Sequence, residues 1–170
     1  LEVNPGPGAI LPEMSAAEAR AVLQQNLAEI WPVCGVNNHE GSLITQLEPL
    51  VGAVLDVCAE QGIFFLDSRT TASSVVRSAA DGRGMRVLER QVFLDNTQSE
   101  QDMLHEFLRG LAIANEQGYV IMIGHVWSTA LPSFLESLYP VLTAAGYRFI
   151  APSELYRELN EEILYESAGN

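Results

Sequence analysis

At 170 residues, with 48% hydrophobic and 18% charged residues, the chain has the length and composition of one globular domain with a sizeable core. The formal net charge of −13 argues against a nucleic-acid-binding function, because only 9 basic residues are available to neutralise phosphates. No apolar run approaches the length needed to cross a bilayer, so no membrane-spanning segment is predicted.

The N-terminal part of the chain predicts a loop followed by a helix. Proline and glycine are frequent over residues 1–14, which is typical of an irregular loop, and we expect one domain over residues 15–170. Ser15 and Glu18 have the spacing of a capping box, which predicts the start of the first helix. Pro32 is expected to end that helix.

Five short apolar runs alternate with helical patterns along the rest of the chain. The predicted strands cover residues 33–36, 63–66, 91–94, 119–123 and 147–150. Helices are predicted around residues 47–58, 72–81, 99–117 and 131–142, with a last helix capped by Ser153. Connections of this length join parallel strands, so the predicted fold is α/β, either a barrel or an open doubly wound sheet. No glycine-rich nucleotide-binding pattern opens any of these helices, so a nucleotide site is not expected.

Polar residues directly follow these predicted strands. They are His39, Asp67, Asp95, His125 and Ser153, each just beyond the end of its strand. The carboxyl ends of parallel strands meet at one edge of a sheet, and α/β folds place their active sites at that edge. The pattern therefore predicts an enzyme-like architecture.

The turn over residues 35–42 is the most informative segment of the sequence. Gly35 and Gly41 are expected to let the backbone bend tightly around His39 and Glu40. Polar groups at the end of a buried strand need a partner, and a neutral imidazole there suits a divalent metal. A structural hydrogen-bonding role is the alternative for His39.

Two further loops carry residues suited to catalysis. One interpretation of the loop after the second strand is that Arg69 orients Asp67 as a catalytic base. The alternatives are direct metal binding by Asp67, or a local turn in which its carboxylate accepts backbone amides. His125 emerges from an apolar strand, where a histidine can donate a proton to a leaving group. A buried histidine bonded to a carbonyl is the alternative there.

The remaining candidates have more ordinary interpretations. Asp95 precedes an asparagine, and this pair is also common turn chemistry. Trp127 either lines a groove or packs in the interior. His105 lies on the polar face of its helix and is predicted to be solvated. Cys34 and Cys58 fit two buried small hydrophobes better than a disulfide.

Five segments together are similar to a known family. They cover residues 5–8, 35–42, 64–71, 92–96 and 123–125. Their order and spacing, over about residues 4–155, resemble the divergent polysaccharide deacetylase family of bacteria. The resemblance implies a NodB-like α/β fold, a parallel sheet of a distorted, incomplete (β/α)7-type barrel that lacks the first strands. It also implies a periplasmic or otherwise extracytoplasmic location.

The same resemblance implies removal of acetyl groups from N-acetylated glycans of the cell envelope. A divalent metal, with zinc as the expected ion, would polarise the acetamide carbonyl and activate water, and a general acid would release the amine. His39 matches the metal-binding histidine, and His125 matches the acid. Asp67 and Arg69 match the family's catalytic Asp-Ser-Arg loop. The expected substrate contacts are Asn37, Asn38, Glu40, Asp95 and Trp127.

The sequence departs from the family pattern in three places. The family's opening strand with its Asp-Asp pair, and a strand carrying a further histidine, would precede Leu1, and we expect these strands to come from the same protein. Glu40 stands where the family has methionine, and Val126 and Trp127 replace the residues that normally follow the late histidine. The competing function is a non-catalytic envelope protein that uses the barrel as a scaffold for a glycan or a partner protein.

Overall fold

The chain forms two compact units in the computed structural model, which describes residues 5–168 and their side chains through residue 161. The first unit contains the residues up to Glu89 and those from Pro152 onward, and the second contains Arg90 to Ala151. The first four residues of the loop predicted over residues 1–14 lie outside the described residues. The single domain expected from residue 15 stays a prediction.

The first unit contains four helices within the described residues. They are α1 (Ala16–Ile30), α2 (Glu48–Gln61), α3 (Val76–Asp81) and α6 (Pro152–Ala168), with a 3₁₀ turn at Ile44–Gln46. The capping box is confirmed, since the Ser15 hydroxyl accepts the Glu18 N–H and the Glu18 carboxylate accepts the Ser15 N–H at 2.8 Å. Gly62 ends α2 in the left-handed conformation that favours glycine.

The sheet of the first unit is parallel, with the order β1, β2, β3. Its strands are β1 (Gly35–Asn37), β2 (Phe64–Asp67) and β3 (Leu88–Glu89). The register pairs Val36 with Phe65 and Asp67 with Glu89. Leu55, Val57, Val76 and other buried side chains of α2 and α3 cover the sheet and form the core of this unit. The prediction of an α/β fold with parallel strands is confirmed.

The second unit has its own parallel pair of strands and its own core. The strands are β4 (Val92–Phe93) and β5 (Met122–Ile123), and the helices are α4 (Glu100–Gln117) and α5 (Leu131–Ala144). Val92, Met103 and Phe107 are buried together with Leu131 and Leu142. Leu104 and Leu108 on α4 are 40% and 55% exposed. The helix buries a narrower apolar face than its sequence indicates.

Two predictions near the C-terminus are wrong. Residues 147–150 form no strand, and Phe149 in this segment is 49% exposed, so the apolar run is not covered as a buried strand would be. Ser153 does not cap the last helix, because α6 begins one residue earlier at Pro152. Proline suits the first position of a helix, where its missing N–H has no helical partner.

The cysteines are free, as the sequence indicated, but only one is buried. Cys34 is exposed just before β1, which corrects the expectation of two buried thiols. Cys58 is fully buried in α2, and this burial raises the pKa of its thiol from 9.0 to about 12. None of the described helices combines the length and apolarity that a bilayer crossing requires.

Candidate active-site residues

The loops that follow β1 and β2 are joined by side-chain hydrogen bonds. Oδ1 of Asn38 accepts the backbone N–H of Ser68 at 2.9 Å, and the Ser68 hydroxyl donates to the backbone carbonyl of Asn38 at 2.7 Å. Asn37 adds a third bond, from Nδ2 to the Ser68 hydroxyl oxygen at 3.2 Å. Ser68 is buried. The two asparagines therefore fix the shape of this strand edge as well as presenting polar groups there.

The glycines of the first loop are needed for space, not for a positive φ. A Cβ on Gly35 would lie 2.4 Å from two atoms of the Phe64 ring, and a Cβ on Gly41 would lie 2.6 Å from Nδ2 of Asn38. The left-handed residue of this turn is Glu40, with φ of +53°. The expectation that Gly35 and Gly41 supply the bend is therefore corrected: neither has a positive φ, and Glu40 carries the strained conformation.

Asp67 is buried at the end of β2 and both of its oxygens accept hydrogen bonds. Oδ1 accepts the backbone N–H of Arg69 at 2.8 Å, and Oδ2 accepts the Ser74 hydroxyl at 2.6 Å. These bonds hold Arg69 in a left-handed conformation, with φ of +48°. The carboxylate therefore organises its own loop, as in the local-turn alternative, and its role as a base stays a prediction.

Glu89 is a site neighbour that the sequence interpretation missed. It pairs in register with Asp67 across β2 and β3, and its carboxylate lies 3.6 Å from the Arg69 guanidinium. Arg77 also donates to Glu89 from Nε at 2.8 Å. The one available signal was the pair Val87 and Leu88 directly before it, but two apolar residues between charged ones are a weak strand pattern.

His39 and Glu40 are exposed at the end of the first loop. Asn38 lies beside them with a buried Nδ2 for which the described side chains and backbone offer no acceptor. Over residues 5–161, no three His, Cys, Asp or Glu side chains converge in a way that could hold a metal ion. The described residues therefore do not make a metal site without further ligands.

A cleft of about 990 Å³ opens beside this loop in the first unit. Its polar end contains Asn38, His39 and Glu40, and apolar side chains that include Val36 and Phe65 line the rest. β1 lies at the end of the strand order, so its outer edge pairs with no other strand among the described residues.

The second unit contains a histidine held by a buried carboxylate. Oδ1 of Asp95 lies 2.9 Å from Nδ1 of His125, and Oδ2 accepts the backbone N–H of His125 at 2.8 Å. Asp95 is buried, whereas 28% of the His125 side chain is exposed. A carboxylate at Nδ1 favours the tautomer with the proton on that nitrogen, so proton exchange with a substrate is directed to Nε2.

Aromatic rings flank the imidazole of His125. The Phe93 ring is parallel to it within 2°, with centroids 5.6 Å apart, and the Trp127 indole stacks at 4.6 Å with an angle of 25°. The Arg90 guanidinium lies 4.0 Å from the centroid of the Phe93 ring. Asp95 therefore holds the edge of the imidazole that carries Nδ1, and the aromatic neighbours stack against its faces.

The family of the chain follows from these segments taken together. A family model described as divergent polysaccharide deacetylase matches residues 1–156, which include both strand-end clusters. The chain belongs to the divergent polysaccharide deacetylase family. The family resemblance expected from the sequence is therefore confirmed.

Two curated relatives agree with this assignment. The uncharacterized protein YibQ of Escherichia coli K12 is 34% identical over 114 residues, 67% of this chain and 36% of the relative. An uncharacterized protein of Haemophilus influenzae is 34% identical over 112 residues, 66% of this chain and 40% of the relative. The chain thus spans less than half the length of these relatives.

A solved structure has the same fold. The crystal structure of uncharacterized protein ATU2773 from Agrobacterium tumefaciens C58 matches with a TM-score of 0.84 and 22% identity. The match covers 89% of this chain and 61% of that one. At this identity the likeness establishes the fold, which is consistent with a NodB-like partial barrel.

Proposed function

We propose that the protein is a deacetylase-like hydrolase that removes acetyl groups from N-acetylated glycans of the cell envelope, with His125 as general acid. The observation that carries the proposal is the contact between His125 and the buried Asp95. A partly exposed imidazole with one nitrogen fixed by a carboxylate is an arrangement suited to proton transfer. Membership of the polysaccharide deacetylase family supports the choice of an acetamide as the bond that is cleaved.

The chemistry assigned to His125 is protonation of the leaving amine. When the C–N bond of an acetamide breaks, the amine nitrogen needs a proton, and the imidazolium supplies it from Nε2. Asp95 stabilises the imidazolium before the transfer and holds the ring in one orientation. Phe93 and Trp127 contact the His125 imidazole by stacking. These contacts restrict rotation of the imidazole without forming hydrogen bonds to its nitrogens.

In the first unit, the proposed function assigns roles to His39, Asp67 and Arg69. His39 is the ligand that the described residues would contribute to a divalent metal, zinc in our proposal, and other ligands must then come from outside residues 5–161. Arg69 is presented at the strand edge by Asp67 and Glu89, which support its backbone and its guanidinium respectively.

We also propose that further strands of the same protein pair with the outer edge of β1. The apolar wall of the neighbouring cleft supports this proposal, because such a surface favours a buried partner. The chain's coverage of 36% and 40% of its curated relatives is consistent with additional segments. For an enzyme acting on envelope glycans, the proposed location is the periplasm or another extracytoplasmic compartment.

The test is acetate release from an N-acetylglucosamine oligomer by the full-length protein and two histidine variants. His125→Ala should lose activity by about 10²- to 10⁴-fold, the usual contribution of a general acid. His105→Ala is the matched control, because His105 is exposed on α4 and should leave the rate unchanged. Equal acetate release by the unmodified protein and His125→Ala would reject the assignment of His125.

A non-catalytic glycan-binding or partner-binding scaffold is the second candidate function. It is favoured by the finding that, within residues 5–161, His39 is not part of a group of three metal ligands. In that case the full-length protein would bind glycan oligomers or a partner with no acetate release at any metal concentration. Metal-dependent acetate release would exclude this second function.

A further inference from the structure

The turn that carries Trp127 is held rigidly at both ends. At its start, Asp95 accepts the backbone N–H of His125. At its end, the buried Ser128 donates its backbone N–H to the His125 carbonyl at 3.1 Å, and its hydroxyl donates to Oε1 of Gln98 at 3.1 Å. Val126 and Trp127, between these anchors, therefore project from a fixed turn, and Val126 is fully exposed.

Trp127 is an exposed aromatic platform next to the proposed acid. Its indole stacks on the His125 imidazole at 4.6 Å, yet 62% of the residue remains exposed. A large apolar ring is costly to leave in water, and a rigid ring loses little conformational entropy when a ligand covers it. A pyranose ring has an apolar face of C–H groups that can cover an indole while its hydroxyls stay hydrated.

The charge of the chain restricts which glycans suit this platform. With a net charge of −13, the protein repels anionic polymers and attracts amine-bearing ones. The segment from Arg90 to Ala151 alone has six carboxylates and three arginines. Uncharged hexosamine chains and their partly deacetylated forms, which carry ammonium groups, both fit this balance.

We propose that Trp127 is a sugar-binding platform, and that its ligand is an uncharged or amine-bearing hexosamine chain with one ring stacked on the indole. The placement of that ring's acetamido group beside His125 rests on the function proposed above. The stacking itself does not, since it requires the indole alone. Trp127 then selects glycans over small acetamides before any chemistry occurs.

The chain has two tryptophans, Trp31 and Trp127, so ligand binding can be assigned to one of them directly. Two indole N–H signals in an NMR spectrum would be assigned with Trp31→Phe and Trp127→Phe. The chain would then be titrated with an N-acetylglucosamine tetramer, its deacetylated form, a galacturonate tetramer and free acetamide. The Trp127 signal should move with the first two only, and the signal of Trp31, itself 51% exposed, should not move.

Substitutions give the matching affinity test. Trp127→Ala should weaken binding of the N-acetylglucosamine tetramer by about tenfold, Trp127→Tyr should retain most of it, and Trp31→Ala should not change it. A Trp127 signal that responds to no tetramer, or that responds equally to galacturonate, would overturn the proposal. The NMR titration itself uses the unmodified chain, and one folded variant, Trp31→Phe or Trp127→Phe, is enough to assign both indole signals.

Acetate release separates this inference from the proposed function. If the Trp127 signal moves with glycan but no acetate is released, the sugar-binding role of Trp127 is supported and the hydrolase function is rejected. If Trp127→Ala releases acetate with an unchanged KM for the glycan, the hydrolase function is supported and the sugar-binding role of Trp127 is rejected. If Trp127 only held the imidazole of His125, its replacement would lower kcat and leave glycan affinity unchanged, which also overturns the proposal.

Discussion

Both carboxylate oxygens of Asp95 contact one residue, His125. Oδ2 accepts the backbone N–H at 2.8 Å, and Oδ1 lies 2.9 Å from ring Nδ1. The carboxylate is buried and is reached by both the main chain and the side chain of its partner. This arrangement fixes the position of the histidine backbone and the tautomer of its ring together. Asp95 is therefore a positioning residue for the proposed acid.

Replacement of Asp95 by asparagine should slow acetate release by about 10²- to 10⁴-fold while leaving the fold intact. An amide cannot accept from the backbone N–H and from Nδ1 at once, so the imidazole loses its fixed tautomer. Glu116→Gln removes an exposed carboxylate of α4 and is the matched control. The assignment fails if the two variants release acetate at the same rate and share a melting temperature.

The bonds that join Asn37 and Asn38 to Ser68 should be measurable in the free energy of unfolding. Asn38→Ala leaves the Ser68 N–H without its acceptor, which should lower the free energy of unfolding by about 1–3 kcal/mol. A double-mutant cycle of Asn37→Ala and Ser68→Ala, whose side chains bond to each other at 3.2 Å, should give a coupling of about 1 kcal/mol in urea denaturation. Asn96→Ala, at an exposed position, is the control. Strict additivity of Asn37→Ala and Ser68→Ala would mean that these two side chains are not bonded to each other.

The sequence predicted most elements of the fold, because amphipathic helices and capping residues are local signals. The capping box at Ser15 and the helices predicted around residues 47–58 and 99–117 are all present. The prediction of a strand at residues 147–150 is wrong, because the sequence of an apolar run does not show whether another element of the fold covers it.

The candidate site was less predictable, because its hydrogen bonds join residues distant in sequence. Asp95 was the weakest candidate, since nothing next to it in the chain indicates a contact with His125, 30 residues later. Glu89 was missed because β3 has two residues only and exists through its pairing with β2. Both contacts join residues that are far apart in the chain, and the residues next to each position do not indicate such a contact.

Metal binding by His39 should be detectable as metal content. The purified full-length protein is expected to retain a divalent ion, and His39→Ala should lose most of it, because an imidazole is a strong ligand for such ions. His105→Ala, which changes an exposed histidine on α4, should keep the same content as the unmodified protein. Equal metal content in His39→Ala and His105→Ala would remove His39 from the site.

The two thiols should differ sharply in reactivity. At pH 8, a thiol reagent should modify the exposed Cys34 in the native protein and leave Cys58 unmodified, with both modified in denaturant. Burial raises the pKa of Cys58 from 9.0 to about 12, so in the folded state the thiol stays protonated where the unfolded chain ionises it. Stability should therefore fall as the pH rises from about 9 toward 12. Two modified thiols in the native protein, counted by mass spectrometry, would contradict this burial.

Replacement of Gly35 by alanine should destabilise the protein for a steric reason. It pairs in register with Phe64, and an added methyl group would meet three atoms of that ring, which itself packs on Tyr156 at 5.5 Å between centroids. Gly35→Ala should therefore lower the free energy of unfolding by about 1–3 kcal/mol, the usual cost of overpacking.

The matched control for Gly35 is Gly82→Ala. Gly82 has a negative φ, and the atoms nearest to its added methyl group would be carbonyl oxygens at 3.6 and 3.7 Å, an ordinary contact. This variant should be neutral or slightly more stable, because alanine reduces the entropy of the unfolded chain. Since both variants replace glycine by alanine, the difference between their urea midpoints isolates the contact with Phe64. Equal midpoints would mean that Phe64 moves aside without cost, and that Gly35 is not required by packing.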